Sequence, residues 1–281
     1  MTISVIIPCR TKKDLCPELL PALKSQSLKP KEILIITNKL CPKSPAEKRD
    51  YGAKKAKGNL LAFIDSDAYP TKDWLKNASK HLKSPNVAAV CGPGLTPPNN
   101  SPDQQISGLV WSSPISAGPY TYRNLPKPQR FVDDYPSFNL IVKKKAFNAV
   151  GGFDTQYWPG EDTKLCLDLT HQLKQKILYH PSIQVFHHRR PIFLPHLAQI
   201  SRYGFQRGRF VRLFPQTSLR LSYFLFPLWL ITLPITWPLY LTIIITAGLY
   251  HRSLRLTQAI FLTHFTYALF FIKGLLFSNK K

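Results

Sequence analysis

Short apolar stretches alternate with helical patterns along the first part of the chain. Apolar, β-branched runs at residues 3–8, 32–37 and 60–64 end at proline or polar residues, which predicts three buried strands. Between them, leucines recur at helical spacing over residues 15–23, and residues 46–57 form a pattern rich in Lys and Ala that is typical of a helix. This strand–helix alternation predicts an α/β domain with a parallel sheet covered by helices.

The pattern weakens in the middle of the chain and then returns. Residues 93–136 are rich in Pro, Ser, Gly and Asn, which predicts a long irregular connection. A strand at 138–142 and a helix at 161–172 follow. Residues 191–213 are amphipathic and basic, and fit an interfacial membrane helix and an ordinary surface helix equally well.

Two long apolar runs occupy the C-terminal part. Residues 221–250 contain no charged residue, and residues 256–277 contain only Lys273. Because about 20 residues of helix cross a bilayer, we expect residues 216–281 to be a membrane anchor with about two transmembrane helices, after a domain at 1–215. A buried soluble helix is the alternative for each run, and the second run could instead be an interfacial segment that follows a single span.

The flanking charges bear on how this anchor is oriented. Basic residues before the first run, together with Lys280 and Lys281, favour a hairpin with both ends in the cytoplasm. The linker at 251–255 is also basic, which argues the other way.

Charge and cysteine content narrow the class of protein. Lys and Arg total 38 against 15 Asp and Glu, so the formal charge of +23 predicts an anionic partner. The apolar runs favour a membrane and phosphates over nucleic acid. Five cysteines without a C-x-x-C pair predict neither a disulfide framework nor a zinc site, which suits a reducing cytosol. The N-terminus runs straight into a strand, and no cleaved signal peptide is expected.

Two carboxylates, Asp65 and Asp67, follow the strand at 60–64 directly. In sheets of this kind, ligands bind beyond the carboxyl ends of the strands. A pair of carboxylates at such a position can hold a hard divalent cation, which in turn binds a diphosphate. On its own, the same pair is also typical of a capped turn.

Several short motifs, in this order, resemble the family 2 glycosyltransferases of the GT-A fold. They are Ser4-Val5-Ile6-Ile7-Pro8, Lys48-Arg49-Asp50-Tyr51-Gly52-Ala53, Phe63-Ile64-Asp65-Ser66-Asp67, Asn139-Leu140-Ile141-Val142-Lys143, Val150-Gly151-Gly152-Phe153-Asp154, Gly160-Glu161-Asp162-Thr163-Lys164-Leu165, Tyr179-His180-Pro181 and His187-His188. The resemblance covers roughly residues 2–210. It implies a Rossmann-like nucleotide-diphospho-sugar transferase domain, followed here by C-terminal transmembrane helices.

The resemblance also implies roles for individual residues. Pro8 and Arg10 would lie beside the nucleotide base and ribose, and Arg49 near the base or diphosphate. Asp65 would contact the ribose or the metal, while Asp67 and His187 would ligate Mg²⁺ or Mn²⁺. Members of the family usually carry an acidic residue for the base after the second strand. This chain has Thr37-Asn38-Lys39 there, so Asn38 is its candidate.

Glu161 and Asp162 match the acidic pair that bears the catalytic base of the family. An acceptor hydroxyl is a poor nucleophile and needs a carboxylate to take its proton. Acidic residues also stabilise a helix N-terminus, and both roles are compatible. We expect Asp162 to be the base rather than Glu161. Trp158 fits a sugar-stacking platform and a core tryptophan equally well, and Gly151-Gly152 predicts a turn with positive φ.

Together these observations predict an inverting, metal-dependent glycosyltransferase at the inner (plasma) membrane, with its catalytic domain in the cytoplasm. Its expected partners are a nucleotide-sugar donor, a lipid-linked or glycan acceptor and the membrane, but no nucleic acid. The alternatives are a processive polysaccharide synthase and a non-catalytic membrane scaffold of the same fold. The stretch Gln199-Ile200-Ser201-Arg202-Tyr203 resembles the Q-x-x-R-W motif of processive synthases, with Tyr in place of Trp.

Overall fold

A computed structural model of the protein describes residues 1–277. Within that range, contacts divide the chain into two compact units. The first, the sheet unit, comprises Met1–Leu95 and Leu125–His187. The second, the helical unit, comprises Thr96–Asn124 and the chain from His188 onward. The divisions between the units fall after Leu95, Asn124 and His187, whereas the sequence predicted a boundary near residue 215. Lys280 and Lys281, the expected basic flank of the anchor, lie outside the described residues.

The strands all belong to the sheet unit and confirm the predicted core of the domain. They are β1 (Ile3–Pro8), β2 (Glu32–Ile36), β3 (Leu60–Ile64), β4 (Ala68–Pro70), β5 (Val87–Cys91), β6 (Gly94–Leu95), β7 (Arg130–Val132), β8 (Asn139–Lys143), β9 (Lys176–Tyr179) and β10 (Val185–His187).

The α-helices are distributed over both units. They are α1 (Leu19–Lys24), α2 (Pro45–Lys55), α3 (Trp74–His81), α4 (Pro102–Ser112), α5 (Pro114–Ala117), α6 (Lys144–Ala149), α7 (Glu161–Leu167), α8 (Leu194–Leu213), α9 (Pro215–Ser218), α10 (Leu221–Tyr250) and α11 (Leu254–Phe277). A single π-helical turn, Asp168–Gln172, continues α7, so the helix predicted over 161–172 is present.

The main sheet has the order β2-β1-β3-β8-β5-β9-β7 and is mixed rather than purely parallel. Strands β2, β1 and β3 run parallel, as predicted. Strand β8 is antiparallel to both β3 and β5, and β7 is antiparallel to β9. The parallel prediction is confirmed for the three strands on which it rested. The strand at 138–142 was predicted without a direction, because periodicity carries no information about direction, and β7 lies in the stretch that was predicted to be irregular.

The predicted irregular connection at 93–136 is mostly ordered in short elements. It contains β6, α4, α5, a 3₁₀ segment at Gly118–Arg123 and β7. Both helices begin at Ser-Pro pairs, in which Ser101 and Ser113 accept hydrogen bonds from backbone N–H groups of the first turn. These capping signals were present in the sequence, but the high Pro and Ser content hid them.

The core of the sheet unit leads directly to the candidate site. Phe63 of β3 is fully buried, and its ring lies 5.6 Å from that of Phe147 and 5.1 Å from that of Phe153. Phe153 follows a turn in which Gly151 and Gly152 have φ of 81° and 85°, which confirms the predicted positive φ. The aromatic cluster therefore fixes this turn against the strand that ends at Asp65.

In the helical unit, α8 and α11 run side by side in the same direction. His196 contacts Thr263, and Arg212, sixteen residues later, reaches the carbonyl oxygens of Leu275 and Leu276. Helix α10 precedes α11 through a short loop, and Gly248 lies against Thr257. Both α10 and α11 are long and apolar enough to cross a membrane, by length and composition, so they fit the transmembrane helices predicted for the C-terminal part.

Candidate active site

The candidate site lies at the carboxyl end of β3. Asp65 and Asp67 follow this strand, and the chain then enters β4, which pairs antiparallel with β10. In this pairing His187 lies opposite Ala68, the residue after Asp67. The small sheet therefore brings the imidazole of His187 beside the acidic pair, although 120 positions of the chain separate it from Asp67.

Asp65, Asp67 and His187 form a group that could hold a metal ion. Nε2 of His187 lies 3.2 Å from Oδ1 of Asp67, and one ligand atom from each of the three residues lies within 4.8 Å of the others. Nδ1 of His187 is buried and has no hydrogen-bond partner among the described residues. Two carboxylates and one imidazole are a donor set suited to a small divalent cation such as Mg²⁺ or Mn²⁺. The residues present therefore fit the predicted metal.

A buried arginine connects the acidic pair to the candidate base region. Arg49 of α2 donates from Nη2 to Asp65 at 2.6 Å and from Nη1 to Glu161 at 2.9 Å. Its guanidinium also lies 5.9 Å from the centre of the Phe153 ring. Because both Arg49 and Glu161 are about 95% buried, this pair is a fixed internal ion pair, and it holds Asp65 in place.

The two acids of the Glu161–Asp162 pair have different surroundings. Glu161 is buried, and its second carboxylate oxygen accepts the backbone N–H of Gly160 at 3.0 Å. Asp162 is half-buried and accepts the backbone N–H groups of Thr163 and Ser137. Both residues open helix α7, as expected for acids at a helix N-terminus. Only Asp162 offers a partly exposed carboxylate.

The residues expected at the nucleotide lie at the ends of β1 and β2. Pro8 ends β1 opposite Ile36, and the carbonyl of Arg10 accepts the N–H of Asn38. The Arg10 side chain is 81% exposed and pairs with Asp14 at 3.4 Å. Pro8, Arg10 and Asn38 are thus neighbours, and among the described residues they form no hydrogen bond to the acidic cluster.

Two residues that the sequence did not single out belong to this region. Lys48 is buried and donates to Oδ1 of Asn38 at 2.5 Å, so α2 contacts both the end of β2 and the acidic cluster through consecutive residues. Asp50 accepts the N–H of Phe153 at 2.9 Å. Both flank Arg49, and this position was the one signal that could have identified them. Trp158 is 44% exposed, which removes the core interpretation for that residue.

Comparison with known proteins shows similarity to glycosyltransferases in part of the chain. Residues 42–151 match the family model described as glycosyl transferase family 2. A pre-mycofactocin glycosyltransferase of Mycobacterium tuberculosis is 30% identical over 170 residues, which are 58% of this chain and 34% of that protein. A dolichyl N-acetyl-alpha-D-glucosaminyl phosphate 3-beta-D-2,3-diacetamido-2,3-dideoxy-beta-D-glucuronosyltransferase of Methanococcus voltae is 25% identical over 169 residues, covering 57% of this chain and 50% of that protein. The chain thus spans half or less of the length of these relatives.

Solved structures share the fold at low sequence identity. The mannosyltransferase PcManGT of Pyrobaculum calidifontis, solved with GDP-Man and Mn²⁺, superposes with a TM-score of 0.63 at 14% identity, over 99% of this chain and 88% of that one. GalNAc-T7, solved with UDP, GalNAc and Mn²⁺, gives a TM-score of 0.50 at 14% identity over 74% of this chain and 48% of that one. The chain is thus similar to the family 2 glycosyltransferases over the matched residues 42–151, and its sheet unit has a GT-A-like fold.

Proposed function

We propose that this protein transfers a sugar, with inversion at the anomeric carbon, from a nucleotide-diphosphate sugar to a lipid-linked or polysaccharide acceptor in cell-envelope glycan synthesis. The observation that carries the proposal is the cluster of Asp65, Asp67 and His187 beside the ion pair of Arg49 and Glu161. An acidic metal-binding group at a strand end is what a diphosphate leaving group requires.

In the proposed reaction, a single displacement at the anomeric carbon of the donor sugar, the residues of the site have different roles. Asp162 takes the proton of the acceptor hydroxyl as the new bond to the anomeric carbon forms. The bond from that carbon to the donor phosphate breaks at the same time, and the nucleoside diphosphate leaves with the electron pair. A Mg²⁺ or Mn²⁺ ion held by Asp65, Asp67 and His187 would supply charge neutralisation for the leaving diphosphate.

The remaining residues position these groups. Arg49 compensates the charges of Asp65 and Glu161, which fixes the carboxylates before the donor arrives. The buried Glu161 is committed to Arg49, which leaves Asp162 as the base. Pro8, Arg10 and Asn38, next to Lys48, form the surface proposed for the nucleotide.

The acceptor class rests on the C-terminal part of the chain and on one relative. Two helices there are long and apolar enough for a membrane, and the Methanococcus relative is named for a dolichyl phosphate-linked substrate. We therefore infer an acceptor held at the inner (plasma) membrane, with the sheet unit facing the cytoplasm, where nucleotide sugars are made.

A screen of nucleotide sugars tests this function. Purified full-length protein in detergent is incubated with each UDP- and GDP-sugar, with Mn²⁺, with Mg²⁺ and with chelator, and release of the nucleoside diphosphate is measured. We expect one donor to be hydrolysed slowly, only with metal, and not by an Asp162→Asn variant. Release of nucleotide at the same rate by that variant would reject the proposed base, and no release from any donor would favour the non-catalytic scaffold.

A further inference from the structure

Helix α10 returns to the same place on α11 after eleven residues. The rings of Trp229 and Tyr240 lie 4.2 Å apart, centroid to centroid. Both rings also lie near Phe261, at 6.2 and 6.3 Å, and near His264, at 6.3 and 5.9 Å. A straight helix would have advanced by about 16 Å between Trp229 and Tyr240. Helix α10 is therefore bent into an arch whose two limbs both rest on α11.

Proline accounts for the bend. Pro234 and Pro238 lie inside α10, between the two contact points. Each lacks the N–H that would bond to the preceding turn, and its ring clashes with that turn, so helices kink at such positions. The apex of the arch, residues 230–239, lies between the two contact points. Its exposed apolar side chains include those of Ile231, Ile235, Trp237 and Leu239.

The bend shortens the reach of α10. Each limb, about 14 Å at 221–229 and about 16 Å at 240–250, is by itself shorter than the hydrocarbon core of a bilayer, which is about 30 Å thick. The two limbs follow α11 one after the other, from Phe271 to Thr257, so α10 reaches no further than α11 does. About 16 Å of helix joins the two contact points, and an arch that returns to its starting point can rise by at most half of this length. The apex therefore lies at most about 8 Å from the contact points on α11. That distance matches the depth of an interfacial segment, about 5–10 Å, rather than a complete crossing.

Helix α8 follows α11 along its C-terminal half and brings arginines with it. A Cβ atom at Gly208 would lie 2.0 Å from the carbonyl oxygen of Phe271, and one at Gly274 would lie 2.0 Å from that of Phe205, so the two backbones touch. Arg202 and Arg212 are exposed on α8. If α11 crossed a bilayer, α8 would enter it too, at a cost of about 2.5–3.5 kcal/mol for each arginine near the centre.

Both ends of α11 also have polar surroundings within the helical unit. At its N-terminal end, Nη1 of Arg255 lies 2.6 Å from Oδ1 of Asp103 in α4. At its C-terminal end, Arg212 donates to the carbonyl oxygens of Leu275 and Leu276. Because α4 has only eleven residues and carries Asp103, Gln104 and Gln105 in its first turn, it is unsuited to lie across the membrane from α8. Both ends of α11 therefore fit a position on the same aqueous side of the bilayer.

We propose that residues 221–277 form a re-entrant anchor in one leaflet of an anionic bilayer. Helix α10 dips into the leaflet as an arch, α11 lies along the interface, and the loop at 251–255 stays on the side of the catalytic domain. His251 and Arg252 then face anionic headgroups, so the basic loop no longer has to lie on the external side of the membrane. This inference concerns the anchor alone and does not depend on the transfer reaction.

Cysteine labelling in sealed membrane vesicles tests the anchor. Three single substitutions are made in the full chain: His251→Cys in the loop, Ile235→Cys at the apex and Lys83→Cys on the exposed surface of the sheet unit. The unchanged chain measures the background of the native thiols, four of which are buried. Inside-out and right-side-out vesicles are treated with a membrane-impermeant maleimide, with and without detergent.

We expect His251→Cys and Lys83→Cys to react in the same type of vesicle, and Ile235→Cys to react only after detergent is added. Reaction of His251→Cys in the opposite type of vesicle would establish the two-span hairpin and overturn the proposal. Reaction of Ile235→Cys without detergent would overturn it as well, because the apex would then lie in water. Thermal unfolding of each variant, compared with the unchanged chain, verifies that the fold is retained.

Discussion

At the scale of single residues, the proposed chemistry depends on carboxylates that resemble each other in sequence but not in surroundings. Asp67 lies beside an imidazole, and Glu161 is buried in an ion pair. Asp162 and Asp50 are both half-buried, and Asp50 has no cation in hydrogen-bond contact among the described residues. Each of these situations predicts a different outcome when the charge is removed.

Asp67→Ala should abolish transfer while leaving the fold intact. The substitution removes one of three ligands, so Mn²⁺ binding, followed by calorimetry or electron paramagnetic resonance, should weaken by at least tenfold. Asp73→Asn, an exposed carboxylate outside the cluster, is the matched control and should bind metal normally. Full activity of the unchanged protein in excess chelator would show that no divalent metal is needed.

Asp162→Asn and Glu161→Gln should fail in different ways. Loss of a general base lowers kcat by about 10²–10⁴-fold, and we expect this for Asp162→Asn with normal donor affinity and normal thermal stability. Glu161→Gln leaves Arg49 without one of its buried partners, and should therefore destabilise the fold by about 3–5 kcal/mol. Nucleotide release, nucleotide titration and unfolding separate the two effects. If only Glu161→Gln lost turnover at unchanged stability, the base would be Glu161.

Asp50 predicts a pH dependence of stability. Burial raises the pKa of its carboxyl from 3.8 to about 6, although the N–H of Phe153 partly offsets this. The folded chain thus holds the proton more tightly than the unfolded chain. Ionisation of Asp50 therefore lowers the free energy of unfolding, and this penalty is absent below about pH 4 and complete above about pH 6.

Asp50→Asn keeps an oxygen that can accept from Phe153 and removes the charge. Allowing for the partial exposure of the carboxyl, we expect this variant to be more stable by about 1–2 kcal/mol at pH 8. The gain should shrink towards zero at pH 4, as followed by denaturant unfolding across this range. An equal gain at both pH values would argue that the charge of Asp50 is not responsible.

At the scale of elements, small residues decide how closely α8 and α11 approach. Gly204, Gly208 and Gly274 lie where any added carbon would meet the backbone of the facing helix. Their spacing on α8, four residues apart, puts two of them on one face. The amphipathic pattern of α8 was visible in the sequence, but its partner was not, because many apolar faces have the same periodicity.

Gly208→Ala should therefore loosen this helix pair. The new methyl group collides with the carbonyl of Phe271, and overpacking of this kind typically costs about 1–3 kcal/mol. Ser201→Ala on the same helix is the control, since the Ser201 hydroxyl donates to the carbonyl of Ala198 within that helix. Thermal unfolding in detergent measures both. Equal melting temperatures for the two variants would mean that α8 and α11 are not in close contact.

At the scale of the whole molecule, the helical unit is assembled from two distant parts of the chain. Residues of α4 and α8 bury side chains against α11, as Ser107, His196 and Thr263 show in a buried chain of hydrogen bonds. The boundary expected near residue 215 from the onset of apolar residues does not coincide with the division between the two units.

A chain truncated after residue 215 should consequently be unstable. Without α11, the face of α8 that carries Ile200, Gly208 and Val211 would be exposed to water. We expect the truncated protein to aggregate or to melt at a lower temperature than the full chain in the same detergent. Size-exclusion chromatography and thermal unfolding measure this, and a monomeric truncated protein with an unchanged melting temperature would contradict the division into units.

The amino-acid sequence by itself determined the strands that build the core, the acidic pair at the end of β3 and the two long apolar helices. Each of these is a local pattern, in which periodicity, burial and turn residues lie within about thirty positions. Tertiary structure decided the direction of β8, the approach of His187 to Asp67, the bridge from Arg49 to Asp65 and Glu161, and the return of α10 onto α11. These contacts join residues that are remote in the chain or separated by a bend, and only packing brings such groups together.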